Sequence, residues 1–287
     1  MMKTYEKATL AEYGYKDYRV WHKLFAVFTK GIAVVSIFII YFPIIIIAIQ
    51  SVNSSTDLAV FGHFTLRWYT QIFAHGTLGE VIKNTFLVSC TATLLATVLG
   101  TFIAVGIHSL EQKKRQHIML LNNVPLLNAD IVTGISLMLV FSLLLPIFPY
   151  LFGFPTLLLA HLFFTLPYVI LSVLPKLREV DPNLMDAATD LGLKPYRALE
   201  KVVIPAIKAG IFSGMLLAFT MSVDDFVISY FNSGNGFTNL SVWIEASISK
   251  KNLTPAVYAF STLLTILTLV GLFVYQLIMR RKGRTDK

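Results

Sequence analysis

Three aspartates stand where carboxylates are costly. Asp130 and the adjacent pair Asp224 and Asp225 lie within or at the edge of long apolar stretches. A charge near a bilayer centre costs at least about 2.5–3.5 kcal/mol on insertion scales, so such residues face a water-filled path or a partner. Carboxylates there can replace part of the water shell of an ammonium group. Phe226, Tyr230 and Trp68 add aromatic faces for cation–π contact, although with 22 Phe and 12 Tyr in the chain, packing competes for each of them. The pair is expected near the C-terminal end of its helix, where the dipole disfavours negative charge and neighbouring carboxylates repel. Neighbours point about 100° apart, so one can line a path while the other meets a helix or a partner subunit. Two readings stand: a substrate path, or a buried salt bridge, for instance to a basic residue of a partner.

Other chemistry is missing from the sequence. No G-x-x-x-x-G-K-[ST] phosphate loop occurs, so the chain is expected to bind no ATP itself. No Cys/His cluster has zinc spacing. Catalytic and metal residues are therefore assigned to none, and no cofactor is expected on this chain. His161 and Pro167 read as helix packing and a kink, the single cysteine Cys90 as packing, and Gly210 with Gly214 as close helix approach within the subunit.

The elements that must position these residues are membrane spans. The chain is 55% apolar and 14% charged, with a mean hydropathy of +0.68, too apolar for a soluble domain of 287 residues. Spanning needs about 20 predominantly apolar residues. Candidate spans are 31–50, 85–107, 118–148, 156–175, 206–231 and 256–279. Asn122, Asn123, Pro125 and Asn128 interrupt the third, which reads as a broken or interfacial segment over 118–128 and a main span over 130–148. Asp130 then falls roughly 18 Å into span three, and Asp224 roughly 27 Å along span five, toward the outer face.

Lys and Arg placement sets the orientation. Lys3, Lys7, Lys16, Arg19, Lys23 and Lys30 precede span one; Lys113, Lys114 and Arg115 follow span two; Lys176, Arg178, Lys194, Arg197, Lys201 and Lys208 follow span four; Arg280, Arg281, Lys282, Arg284 and Lys287 end the chain. The opposite side has Arg67, Lys83, Lys250 and Lys251. Both termini and the 176–205 loop are expected to be cytoplasmic, which accounts for the net charge of +8 without a nucleic-acid surface. The expected organisation is a leader over 1–30, a membrane domain over 31–279 and a basic tail over 280–287. The leader has no A-x-A cleavage site. It either lies along the membrane, with Tyr13, Tyr15, Tyr18 and Trp21 at headgroup level, or is disordered.

The polar loop carries the most specific pattern. Asp186-Ala187-Ala188, three residues, Gly192, nine residues, then Val202 and Ile204-Pro205 suit two short helices packed at a turn. This spacing resembles the cytoplasmic E-A-A signature of ABC importer permeases, with Asp186 for Glu, Val202 for Ile and Ile204 for Leu. The run from Ser222 to Ser229, the run from Phe64 to Tyr69, and Ala129-Asp130-Ile131-Val132 resemble PotC-type permease subunits of spermidine/putrescine importers. The similarity covers the chain from roughly residue 30 onward. At Ala129 the similar permeases often have Pro, which puts the local backbone geometry in doubt.

The resemblance implies an all-α, six-span fold of the ABC type I importer permease class in a bacterial inner membrane. It implies a transport subunit rather than an enzyme, and polyamine as cargo. It also implies partners: a second, PotB-type permease, a PotA-type ATPase homodimer that uses ATP and Mg, and a PotD-type extracytoplasmic binding protein. Asp186, Ala187, Ala188, Gly192, Val202, Ile204 and Pro205 would then dock on the ATPase. Ferric iron, thiamine or another small solute remains an alternative cargo. An ion-coupled carrier or cation channel is a further alternative, disfavoured because such proteins have no ATPase to dock.

Overall fold

The computed structural model describes residues 15–57, 60–72, 76–181, 183–234, 236–249 and 255–285. Lys3, Lys7, Tyr13, Lys250, Lys251 and Lys287 lie outside them. The helices in chain order are α1 (Tyr15–Gln50), α2 (Arg67–Gln71), α3 (Gly76–His108), α4 (Gln112–Leu127), α5 (Asp130–Leu144), α6 (Phe154–Glu179), α7 (Asn183–Asp190), α8 (Pro195–Ala198), a π-turn (Leu199–Val203), α9 (Ile204–Ala206), α10 (Lys208–Asp224), α11 (Val227–Asn232), α12 (Leu240–Ser249) and α13 (Ala256–Thr285).

Three helices are each long and apolar enough to cross a membrane: α1 over Leu24–Gln50, α3 and α6. Two bent pairs pass the same test, α4 with α5 at 101° and Pro195–Ala206 with α10 at 72°. Helix α13 carries a further apolar run, Ala256–Gly271. By length and composition that gives three spans, or up to five if each bent pair is one span, and the shorter apolar run of α13 lies where the sixth span is expected. Two boundaries differ from expectation. Residues 15–30, read as a leader, continue the helix of the first span without a break. The fifth span is not one helix: it stops at Asp224 and restarts at Val227.

The chain divides into two compact units, residues 1–72 with 254–287 and residues 73–253. In the first, α13 packs on α1 and α2. Buried Asn53 organises the loop between α1 and α2. Its Nδ2 donates to Gln50 Oε1 at 2.8 Å and the Val60 carbonyl at 2.9 Å, while its Oδ1 accepts the N–H groups of Ser55 and Gly62 at 3.0 Å.

In the second unit, α3, α6 and α10 pack together. Small residues recur every fourth position on α3 at Ala92, Ala96, Gly100 and Ala104, each buried, so the backbones approach closely. A Cβ on Gly100 would lie 2.8 Å from Val169 Cγ1, and one on Gly210 would lie 2.9 Å from the Ser172 carbonyl oxygen. Gly214 meets Val169 and Ser172 in the same way. Gly210 and Gly214 therefore seat α10 on α6 within this chain. Val169, Ile170, Val173, Leu174 and Leu177 of α6 fill the core between them. Cys90, expected in packing, is instead exposed on α3.

Candidate functional site

The break in the fifth span builds the site. Helix α10 ends at Asp224, and Asp225 is extended (φ −67°, ψ 126°). Its carboxylate then turns onto the start of α11: Oδ1 accepts the Ile228 N–H at 3.3 Å and Oδ2 the Ser229 N–H at 2.7 Å. These are orphan donors of a helix N-terminus, and a carboxylate there is favoured by the dipole. The expectation of a helix C-terminus that disfavours both charges thus fails for Asp225, because a second helix begins behind it. It holds for Asp224, the last residue of α10.

Asp130 sits in a comparable place. The entering segment α4 is helical, and the 101° bend makes Asp130 the first residue of α5 rather than a point along one straight helix. Ala129 has φ −66°, the value proline would impose, with an extended ψ of 134°, so the local geometry survives the missing proline.

The cleft between these breaks has a volume of about 260 Å³ and brings Asp130, Asp224 and Asp225 together with Phe226 from the predicted set. Phe164 and Tyr168 of α6 and Met221 of α10 also line it. Asp225 is 9% exposed and fully engaged. Asp130 and Asp224 are exposed and, among the described residues, have no ion-pair partner or side-chain hydrogen bond. The salt-bridge reading therefore finds no support for Asp130 and Asp224 among the described residues, whereas Asp225 Oδ2 lies 3.7 Å from His161 Nε2. Exposed Tyr230 has its ring 5.6 Å from Phe226. Trp68 is otherwise engaged, in the other compact unit: it is buried, its indole N–H donates to the Asn53 carbonyl at 2.6 Å, and Arg67 stacks 4.5 Å above its ring.

Behind the cleft lies a polar cluster that the sequence did not reveal. His161 of α6 bonds Ser222 Oγ of α10 through Nδ1 at 2.7 Å and Ser229 Oγ of α11 through Nε2 at 2.9 Å. Ser229 Oγ donates to Asp225 Oδ2 at 2.7 Å, and Asn239 Nδ2 donates to Ser229 Oγ at 2.7 Å. Below α11, Thr156 Oγ1 donates to the Asn232 carbonyl and Asn232 Nδ2 to the Gly134 carbonyl, tying α11 to α6 and α5.

The second predicted site is the turn from α7 to α8. Gly192 has φ +84°. Its N–H donates to the Thr189 carbonyl at 2.9 Å and that of Leu193 to the Ala188 carbonyl at 3.1 Å, the paired bonds of a Schellman cap. Lys194 then precedes Pro195 at the first position of α8. The two alanines differ: Ala188 is 5% exposed and packs inward, while Asp186 and Ala187 are exposed. Of the later motif residues, Val202 and Ile204 are half-buried and Pro205 is exposed; the π-turn precedes Pro205. Leu191, 86% exposed, and Tyr196 stand beside Gly192 as apolar surface that the motif spacing does not mark. Behind α7 a cavity of about 310 Å³ is lined by Met185, His108 and Asp181, among others.

Comparisons fit this geometry. Residues 96–284 match the model of the binding-protein-dependent transport system inner membrane component family. The chain is 31% identical over 245 residues to the Escherichia coli (strain K12) spermidine/putrescine transport system permease protein PotC, covering 85% of this chain and 91% of that one. It is 32% identical over 244 residues to the Haemophilus influenzae PotC, covering 85% and 93%, and 31% identical over 249 residues to the E. coli (strain K12) putrescine transport system permease protein PotI, covering 84% and 87%. Among solved structures, a bacterial ABC transporter involved in the import of the acidic polysaccharide alginate superposes with a TM-score of 0.66 at 14% identity, over 93% of this chain and 98% of that one; this likeness speaks for the fold. The chain belongs to the family of binding-protein-dependent transport system inner membrane components.

Proposed function

We propose that this chain forms, with a second permease, the membrane path of an ATP-driven importer for polyamines such as spermidine and putrescine. The observation that carries this reading is the cleft in which Asp130 and Asp224, two carboxylates without an ion-pair partner among the described residues, converge beside Phe226. A carboxylate and an ammonium 4 Å apart attract by about 4 kcal/mol at an effective dielectric of 20, enough to offset part of the lost hydration. The names of the polyamine permease relatives support the cargo. Asp186, Ala187 and Gly192, with Leu191 and Tyr196, form the surface that docks on an ATPase dimer. That partner uses ATP and Mg. An extracytoplasmic binding protein delivers the cargo. Both termini and α7 face the cytoplasm, so a cysteine at Asp190→Cys, in a Cys90→Ala background, should react with an impermeant maleimide only from that side; labelling from the opposite face contradicts the orientation. Asp130→Asn and Asp224→Asn keep shape and remove charge. Losing a hydrogen bond to a charged group costs about 1.5–3 kcal/mol, so each should weaken polyamine uptake by about 10–150-fold while the ATPase still assembles. Unchanged uptake at subsaturating cargo would refute the path.

A further inference from the structure

We propose that His161 is a positioning residue for the cleft, acting through Ser229 on the Asp225 carboxylate. The inference rests on the cation-path reading above. The hydrogen bonds assign the proton positions. Ser229 gives its only hydroxyl proton to Asp225 Oδ2 and accepts from Asn239 Nδ2. His161 Nε2, 2.9 Å from the same oxygen, must therefore donate to it, and Nδ1 accepts the Ser222 hydroxyl proton. Asn239 Nδ2 also donates to the Asp225 carbonyl at 3.1 Å, and its Oδ1 accepts the Val242 N–H at 3.1 Å. His161, Ser222, Ser229 and Asn239 are each no more than 1% exposed, and their bonds form a closed set around the gap between α10 and α11.

Such a set is a poor way to gain stability, since apolar replacements of similar shape are often neutral or better. What it supplies is geometry. It ties the last turn of α10 through Ser222, the first turn of α11 through Ser229 and the start of α12 through Asn239 to one side chain of α6. Asp225 lines the cleft with its carboxylate held as the cap of α11, leaving Asp130 and Asp224 as the carboxylates free to meet cargo. Asn84 Nδ2 on the Thr238 carbonyl and the Leu240 N–H on Thr85 Oγ1 pin the far side of the same loop to α3. The break therefore cannot shift alone.

The test uses the full complex, trapped with a non-hydrolysable ATP analogue and without binding protein, and measures the Kd of radiolabelled spermidine per assembled complex. His161→Leu removes both bonds and should raise Kd by about tenfold, the scale of a lost charge-linked hydrogen bond. His161→Gln spans the two partners with one donor and one acceptor and should keep Kd within about twofold, a difference smaller than one typical hydrogen bond. Ser229→Ala should match His161→Leu, and the double variant should be no worse than either, as expected of one coupled network. Hydrogen exchange at the Ile228 and Ser229 amides should quicken in His161→Leu whatever the cargo. A merely packing role for His161 predicts unchanged Kd in the molecules that assemble, or His161→Gln as damaging as His161→Leu; either result overturns the proposal. Should His161→Leu fail to assemble, Ser229→Ala and His161→Gln decide. Asp224→Asn run alongside separates the two claims: no change there refutes the cation path, while the exchange comparison still judges the positioning role.

Discussion

Gly192→Val tests the turn between α7 and α8 by backbone conformation alone. At φ +84° a β-branched side chain is strained, yet a Cβ would meet nothing within 4 Å in this chain. The penalty therefore comes from the dihedral and not from a clash. A residue held in such a region costs about 1–3 kcal/mol. Escape from that strain gives up the Gly192 and Leu193 hydrogen bonds to Thr189 and Ala188, each worth about 0.5–1.5 kcal/mol. The lower of these routes sets the loss, so about 1–3 kcal/mol leaves the capped turn. That corresponds to a fall of about 5–150-fold in the population able to dock. Asn, which tolerates the left-handed region, should lose much less in Gly192→Asn. The assay is the affinity of the purified ATPase for the permease pair in nanodiscs, followed by cargo-stimulated ATP hydrolysis. Equal affinity for wild type and Gly192→Val would refute the claim that this turn shapes the docking surface. Equal losses in Val and Asn would show that side-chain bulk, not backbone strain, is at work.

The alanine pair should separate docking from folding. Ala187→Glu, on the exposed face, should weaken ATPase binding with little change in thermal stability of the permease, whereas Ala188→Glu should lower that stability itself; the reverse order in a melting assay would contradict their assigned faces. Gly210→Leu must displace the Ser172 carbonyl or the Lys176 side chain and should cost about 1–3 kcal/mol through overpacking, read as a lower melting temperature; unchanged melting would mean that α10 does not seat on α6 as described. Ala129→Pro should be tolerated, because Ala129 already has proline-like dihedrals, with a gain of up to about 1 kcal/mol from the unfolded chain; destabilisation measured by melting would contradict the described bend.

The spans were legible because about 20 apolar residues are a length requirement set by the bilayer. The bend after Leu127 was half legible: Asn122, Asn123, Pro125 and Asn128 marked an interruption, but not the 101° angle that places Asp130 at a helix start. The gap at Asp225 was not, since Phe226-Val227-Ile228 continues the apolar run and only the side chain's return to Ile228 and Ser229 reveals a new N-terminus. Cost of burial draws attention to the three acids, and the structure divides them into one cap and two groups with no partner among the described residues. His161 looked like packing because its partners lie 61 and 68 residues away, beyond any local pattern. Trp68 was misjudged for a related reason: its acceptor, the Asn53 carbonyl, and the Arg67 stack are set by a loop whose hydrogen bonds converge on Asn53. The alanine pair shows the limit of motif spacing. It names both residues, but only the placement of the π-turn and α8 against α7 tells which one faces inward.

The central claim is ATP-driven polyamine import, and the most direct measurement is radiolabelled spermidine accumulation by proteoliposomes holding this chain, its partner permease and the ATPase, with binding protein on the delivery side. Accumulation that requires ATP inside the liposomes' ATPase-facing compartment, is competed by putrescine, and falls in the Asp130→Asn/Asp224→Asn double variant is the predicted result. Accumulation driven by an ion gradient without ATP, or transport of thiamine or ferric iron in place of polyamine by a fully assembled complex, would contradict it.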